Sequence, residues 1–179
     1  LGQSDESIIS HGFRLCQMNY CDLAEGVFFG RYDFKTDNSL LMAGGSDAAG
    51  CMYAWLELAE RLEGAGADAI TGLVNEIYKP ENTVRGVTRF VVNHHDEKWL
   101  FNEDFLHYYF KRMVQCRLNR FEIVVGFDTA YMTPPYPWFI QVPGFEHIRV
   151  NGLADDKREA NLENLRMIGR IAHEYSIEF

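Results

Sequence analysis

Between residues 12 and 45 the chain repeats short apolar runs, GFRLCQM, GVFFGRYDF and NSLLMAGG, each with the alternation or β-rich content of a strand. A longer period follows. In DAAGCMYAWLELAERLEGAGA, Met52, Leu56, Ala59 and Leu62 recur at helical spacing, Asp47 stands where an N-cap is needed, and Gly64 and Gly66 mark the end. Residues 67–83 read as a connection with one weak strand, closing on the turn-like Lys79-Pro80-Glu81-Asn82.

From residue 81 onwards strands and helices alternate. Residues 87–92 and 121–127 are strand-like, Asn102 caps a helix to about 118, Asp155 or Asp156 opens another to about 175, and 177–179 would start a third strand. Strands apolar on both faces in βαβαβ order predict an α/β fold with a parallel sheet under helices, either doubly wound or a barrel. Phe105, Tyr108, Tyr109 and Met113, and Leu162, Leu165, Ile168 and Ala172, predict the buried helix faces, while the charges along 155–166 predict a solvated one. The connection 128–154 far exceeds the ~2–6 residues usual between a strand and the next helix, which marks it as functional.

Composition narrows the function classes. The 179 residues are 47% hydrophobic and 14% aromatic, enough for one large domain or two small ones with real cores. A net charge of -9 disfavours general attraction to nucleic acid but leaves neutral ligands, sugars among them, untouched. Cys16, Cys21, Cys51 and Cys116 form no CxxC pair and have no histidine at finger spacing, so no structural metal is expected; Cys16 and Cys21 are near enough to bridge in an oxidising compartment. No apolar stretch approaches the ~20 residues of a membrane span. The sequence opens at Leu1 without a signal-peptide pattern and closes on YSIEF at what reads as the start of a strand, which predicts a segment of a longer polypeptide.

Three stretches carry candidate chemistry. MAGGSDAAG (42–50) lies between strand and helix, where a phosphate-binding loop also sits, yet it gives neither GxGxxG nor GK[ST]; a tight packing turn is the alternative. Asn93, His94, His95 and Asp96 follow a strand. Side by side, imidazole and carboxylate suit hydroxyl contacts, a metal or acid–base work, and a solvated loop is the plain alternative; adjacent histidines point different ways and chelate poorly. The loop DTAYMTPPYPWFIQVPGFEH (128–147) carries Tyr131, Tyr136, Trp138, Phe139 and Phe145 with four of the five prolines, suited to stacking on sugar rings or to anchoring the loop itself. Asp128 suits a hydroxyl contact better than a catalytic acid, because no second carboxylate pairs with it in the sequence.

A family resemblance now becomes visible. GFRL, then SLLMAGGSDAAGCMYAWLELAERL, then a boundary leading to VRG, resembles the non-catalytic α/β domain that precedes the barrel in β-hexosaminidases and α-glucuronidases, with Gly45, Gly50, Tyr53, Glu57, Leu58 and Glu60 matching its helix pattern. The resemblance continues through Arg85-Gly86 to Arg117 and Asn119, and spans nearly the whole chain. It implies a small α+β N-terminal domain over 1–80, then the first βαβα units of a truncated TIM (β/α)8 barrel over 81–179. Arg85 matches the arginine that opens the barrel in hexosaminidase-like enzymes and binds sugar hydroxyls. Asn93, His94 and Asp96 resemble the Asn-His-x-Asp stretch of α-glucuronidases, with His95 where that family has tryptophan. The hexosaminidase Asp-Asp-x-Gly-Trp is replaced by Asp128-Thr129-Ala130-Tyr131, so the chain reads as a relative of both groups.

The resemblance therefore implies part of a glycoside hydrolase acting on acetamido-sugar or uronic-acid glycans, exported to periplasm or medium, with no cofactor. Arg85, Asn93, His94, Asp96 and Asp128 are its expected substrate contacts and Tyr131 and Trp138 its platforms. The catalytic carboxylates of both families lie on later strands, so the chain alone is expected to be inactive. Two other classes remain open at this stage: a non-catalytic carbohydrate-binding or structural module, and a doubly wound nucleotide-binding domain using Gly44 to Gly50.

Overall fold

The computed structural model describes residues 13–17, 25–33, 39–73, 75–126 and 136–179. The chain divides into two units, Leu1–Thr83 and Val84–Phe179.

In the first unit the three alternating runs form β1 (Phe13–Gln17), β2 (Val27–Asp33) and β3 (Ser39–Gly45), and the weak strand is β4 (Glu76–Tyr78). They make one mixed sheet in the order β1-β3-β2-β4, with β1 parallel to β3 and the other pairs antiparallel. Alternation puts Val27 and Phe29 of β2 and Leu41 and Ala43 of β3 into the core, where they meet α1 (Ala48–Ala65); a short α2 (Asp68–Thr71) follows. Asp47 caps α1 as its position predicts, accepting from the Gly50 N–H at 2.7 Å, and Gly66 ends it with φ +59°.

The buried face of α1 is Gly50, Tyr53, Ala54 and Leu58, whereas the periodicity points to Met52, Leu56, Ala59 and Leu62. The helix carries two apolar stripes, and the turn before it selects one. Ser46 N–H donates to the Gly26 carbonyl at 2.9 Å, and Asp47 Oδ2 accepts from Glu25 N–H at 2.8 Å, so Gly50 is pulled against the start of β2. A Cβ on Gly50 would lie 2.4 Å from Gly26 O. The glycines of MAGGSDAAG thus serve close packing, and the Asp47 carboxylate occupies the helix N-terminus where a phosphate would bind. With β2 antiparallel as well, this unit is not a doubly wound nucleotide-binding sheet.

An ionic network joins α1 to the edge strand β4. Arg61 Nη2 lies 2.6 Å from Glu57 and 3.0 Å from Glu76, its guanidinium covers the Phe29 ring at 4.9 Å, and Tyr78 hydroxyl donates to Glu76. Tyr78 first, and Arg61 with it, hold the Glu76 carboxyl below the usual carboxylate range. A depressed folded pKa contributes stability that is present above the unfolded value of about 4.3 and lost as pH falls through the folded one. Acidification below ~pH 4 is therefore expected to loosen β4, read as faster hydrogen exchange at Glu76–Tyr78. Glu76→Gln should remove that acid step; an unchanged step would place it in another carboxylate.

In the second unit β5 (Gly86–Val92) and β6 (Arg120–Gly126) pair in parallel, Val87 opposite Phe121 and Phe90 opposite Val124. Between them run α3 (Asn93–Leu100) and α4 (Glu103–Gln115), capped by Asn102 on the Phe105 N–H at 2.9 Å; after them come α5 (Tyr136–Phe139) and α6 (Asp155–Glu174). The third strand is reduced to one parallel bridge, Arg120 to Glu178. Mixed α/β architecture with a parallel sheet is as the sequence implies, whereas the described residues of the second unit contain two full parallel strands and no closed barrel.

Two helix faces differ from their periodicity. Leu106, Phe110, Met113 and Val114 are buried on α4, and Tyr108 is 59% exposed. Aliphatic residues and Phe110 take the interior, while the phenols remain where water can reach them. On α6, Ile168 and Ala172 are buried with Ile171, but Leu162 and Leu165 are only half-buried. Arg158, expected on a solvated face, is buried and bonds Asp155 at 2.9 Å. Ala154 rather than an aspartate is the α6 N-cap; Asp155 and Asp156 lie in the first turn, where they favour the positive helix end. Among the described residues Cys51 and Cys116 are free thiols, and Cys21 lies outside those residues.

Candidate functional site

Parallel sheets mount their chemistry where strands end on the carboxyl side. Here β5 passes directly into α3, so Asn93 and His94 occupy the first turn of a helix and Asp96 is its fourth residue. Asp96 in the first turn and Lys98 in the last favour a helix rather than a solvated loop at this point.

Asp96 and Trp99 share one face at i, i+3, and the Trp99 indole N–H donates to Asp96 Oδ1 at 2.5 Å. Trp99 is itself fixed. Phe105 meets it edge-on at 5.8 Å, and the Arg89 guanidinium stands 5.1 Å from its ring centroid. Phe105 stacks on Tyr109 at 5.6 Å, and Tyr109 meets the fully buried Phe121 at 5.8 Å. A carboxylate at the end of β5 is thereby tied through an indole to the aromatic core. Such support lowers the ordering cost of any hydroxyl that Asp96 binds.

Arg85 stands at the other end of the same strand. Its Nε donates to Arg117 O at 2.6 Å, its backbone N–H donates to Asn119 Oδ1 at 2.8 Å, and its carbonyl accepts from Asn119 N–H at 2.8 Å. Arg117 adopts φ +58°, and Arg85 and Asn119 together lock that turn into β6. The seven residues of β5, about 23 Å at the usual strand rise, separate Arg85 from Asn93, His94 and Asp96. Asp128 and Tyr131 lie outside the described residues. Trp138 belongs to α5, half-buried, and its carbonyl accepts from Asn161 Nδ2 of α6 at 3.2 Å, which anchors the long connection at that point. Among the described residues no group of three or more His, Cys, Asp or Glu is placed to hold a metal ion, and no helix is long and apolar enough to cross a membrane.

Of the seven residues singled out by sequence, the structure brings Asn93, His94 and Asp96 onto one turn, and separates Arg85 from them. It adds Arg89 and Trp99. The signal for Trp99 was the Asp-x-x-Trp spacing, which pairs the side chains only once the helix is known to begin at Asn93; Arg89, on β5, had no such local signal.

No protein-family model matches the chain, and no curated protein matches it. Among solved structures it is similar to a GH138 enzyme targeting pectin rhamnogalacturonan II, with a TM-score of 0.66 and 15% sequence identity over 91% of this chain. The match covers 19% of that enzyme, so the chain spans about a fifth of its length. The likeness does not select the hexosaminidase or α-glucuronidase group; the chain has a mixed α/β fold found in a segment of a glycoside hydrolase.

Proposed function

We propose that the chain is part of a carbohydrate-active hydrolase. In this reading its first unit is an auxiliary domain of the hexosaminidase/α-glucuronidase-like kind, and its second holds the opening units of a (β/α)8 barrel. The carrying observation is the fold likeness to a glycoside hydrolase over 91% of the chain. The parallel pair β5–β6 and the supported carboxylate at its carboxyl end are consistent with it. The substrate is a glycan bearing acetamido or uronic-acid sugars, and the intact enzyme works outside the cytoplasm.

Asp96 accepts a sugar hydroxyl, with Asn93 and His94 beside it on the same turn. Tyr131 and Trp138 offer ring faces to the sugar's C–H surface, and Asp128 makes a further polar contact; Arg85, at the other end of β5, serves the turn into β6 instead. Glycosidic cleavage requires an acid and a second carboxylate, or a nucleophile carried by the substrate, held across the bond. In the resembled families those carboxylates stand on later strands, so the 179-residue chain is expected to hydrolyse no glycan by itself.

The reading is tested by determining the gene sequence around this segment. Further βα units with a carboxylate pair near the fourth strand support it, and their absence sinks the hydrolase mechanism. The site is tested separately on the chain itself, by NMR titration with oligosaccharides released from rhamnogalacturonan II. Shifts are expected at Asn93–Leu100, and Asp96→Asn should weaken binding by roughly tenfold, the scale of one hydrogen bond to a charged group. Unchanged affinity in Asp96→Asn would remove Asp96 from the site.

A further inference from the structure

The parallel sheet of the second unit has two unlike faces. Val91, Phe121 and Ile177, at most 4% exposed, lie on the face toward the helices. On the other face Phe90 is 59% exposed, directly beside Val124 in register. Next to this apolar pair a charged ladder crosses three chain segments. Thr88 Oγ1 donates to Glu122 Oε2 at 3.0 Å, Arg120 Nη1 lies 3.8 Å from Glu122 Oε1, and Arg120 Nε and Nη2 donate to Glu178 Oε2 at 3.0 and 2.6 Å.

Two carboxylates share one guanidinium, leaving one negative charge in excess on the ladder. In water that surplus is well solvated. Covered by apolar structure it would be a buried, under-compensated carboxylate, among the costliest defects a protein core can carry. The sheet is also already growing at this side: Phe121 N–H donates to Glu178 O at 2.8 Å and Glu178 N–H to Asn119 O at 2.9 Å, which begins a third parallel strand on the edge of β6. A second copy of the chain is a poor cover, since it would bring the same acidic ladder against itself.

We infer that this face is an interaction surface for further parallel β-structure that lays apolar side chains over Phe90 and Val124 and places one basic side chain beside Glu122 and Glu178. The inference rests on the barrel reading above and adds the charge of what completes it. The basic group turns a three-member ladder with an acidic excess into a neutral network fit for burial.

The test uses the 179-residue chain and two synthetic strand peptides of alternating valine and threonine, one with a central lysine and one with glutamate there. NMR is expected to show the lysine peptide shifting amides at residues 88–90, 122–124 and 177–179. Its affinity should fall roughly tenfold in the Glu122→Gln/Glu178→Gln double variant, and likewise at about 0.5 M salt, where the Debye length is only a few Å. The glutamate peptide should bind at least roughly tenfold more weakly. Equal binding of the two peptides overturns the basic requirement and leaves the barrel reading standing. No binding, or binding insensitive to Phe90→Ser in a folded variant, overturns the surface itself. Failure of the barrel reading is seen independently, in the gene sequence.

Discussion

Gly45→Ala is expected to destabilise the first unit by ~3 kcal/mol or more, although it adds a single methyl group. A Cβ at Gly45 would sit 2.1 Å from both Cys51 N and Gly50 C, and 2.6 Å from Gly50 Cα. All three are backbone atoms of the first turn of α1, so no side chain can swing aside. Relief requires moving the helix off β3, and that would break the Asp47 bond to Glu25 and the Ser46 bond to Gly26 that phase the helix. Overpacking usually costs ~1–3 kcal/mol, and a collision with rigid backbone belongs at the upper end. Gly64→Ala is the control. Nothing lies within 4 Å of a Cβ there, and in the last turn of the helix alanine should stabilise by up to ~0.5 kcal/mol. Hydrogen exchange on residues 41–45 and 50–58 would read both. A tolerated Gly45→Ala would mean that the turn has room, and the packing account of its glycines would have to be given up.

The same turn shows why some of the molecule was legible in the sequence and some was not. Asp47 and Asn102 were readable as caps because a cap is a local event: the side chain bonds an N–H three residues away whatever the rest of the chain does. Strand alternation was equally local. The phase of α1 was not, because Met52, Leu56 and Ala59 make as good a stripe as Gly50, Tyr53, Ala54 and Leu58, and only contact with the start of β2 decides between them. Helix α4 misled for a different reason. Phe105 and Tyr109 are aromatic and periodic, yet they cover the flank, and the deepest positions went to Leu106 and Phe110. At the candidate site the polar cluster was evident and its geometry was not. Asn-His-His-Asp reads as a loop until α3 begins at Asn93; after that, Trp99 becomes the partner of Asp96.

Phe121→Ala is expected to cost the second unit ~3–5 kcal/mol, the range for truncating a buried phenylalanine. Phe121 is 0% exposed and its ring is met by Phe110 at 5.2 Å, Tyr109 at 5.8 Å and Phe179 at 6.1 Å, so α4 and the C-terminal residue both lose contact with one substitution. Domains of this size hold roughly 5–15 kcal/mol in all, which makes the loss a large share of what the unit has. Phe121→Leu retains most of the volume and should cost only about 1.5 kcal/mol. The two variants should also separate at a distance. The stack Phe121–Tyr109–Phe105–Trp99 is what holds the Asp96 partner in place, so the cavity in Phe121→Ala should loosen Trp99 while Phe121→Leu leaves it ordered. Chemical denaturation with near-ultraviolet circular dichroism gives the stabilities, and the indole N–H resonance of Trp99 reports its hydrogen bond. A Phe121→Ala variant that loses less than ~1 kcal/mol would show that the aromatic stack is not the core. One that loses the full amount with the Trp99 resonance unmoved would show that Asp96 is held by its own helix alone.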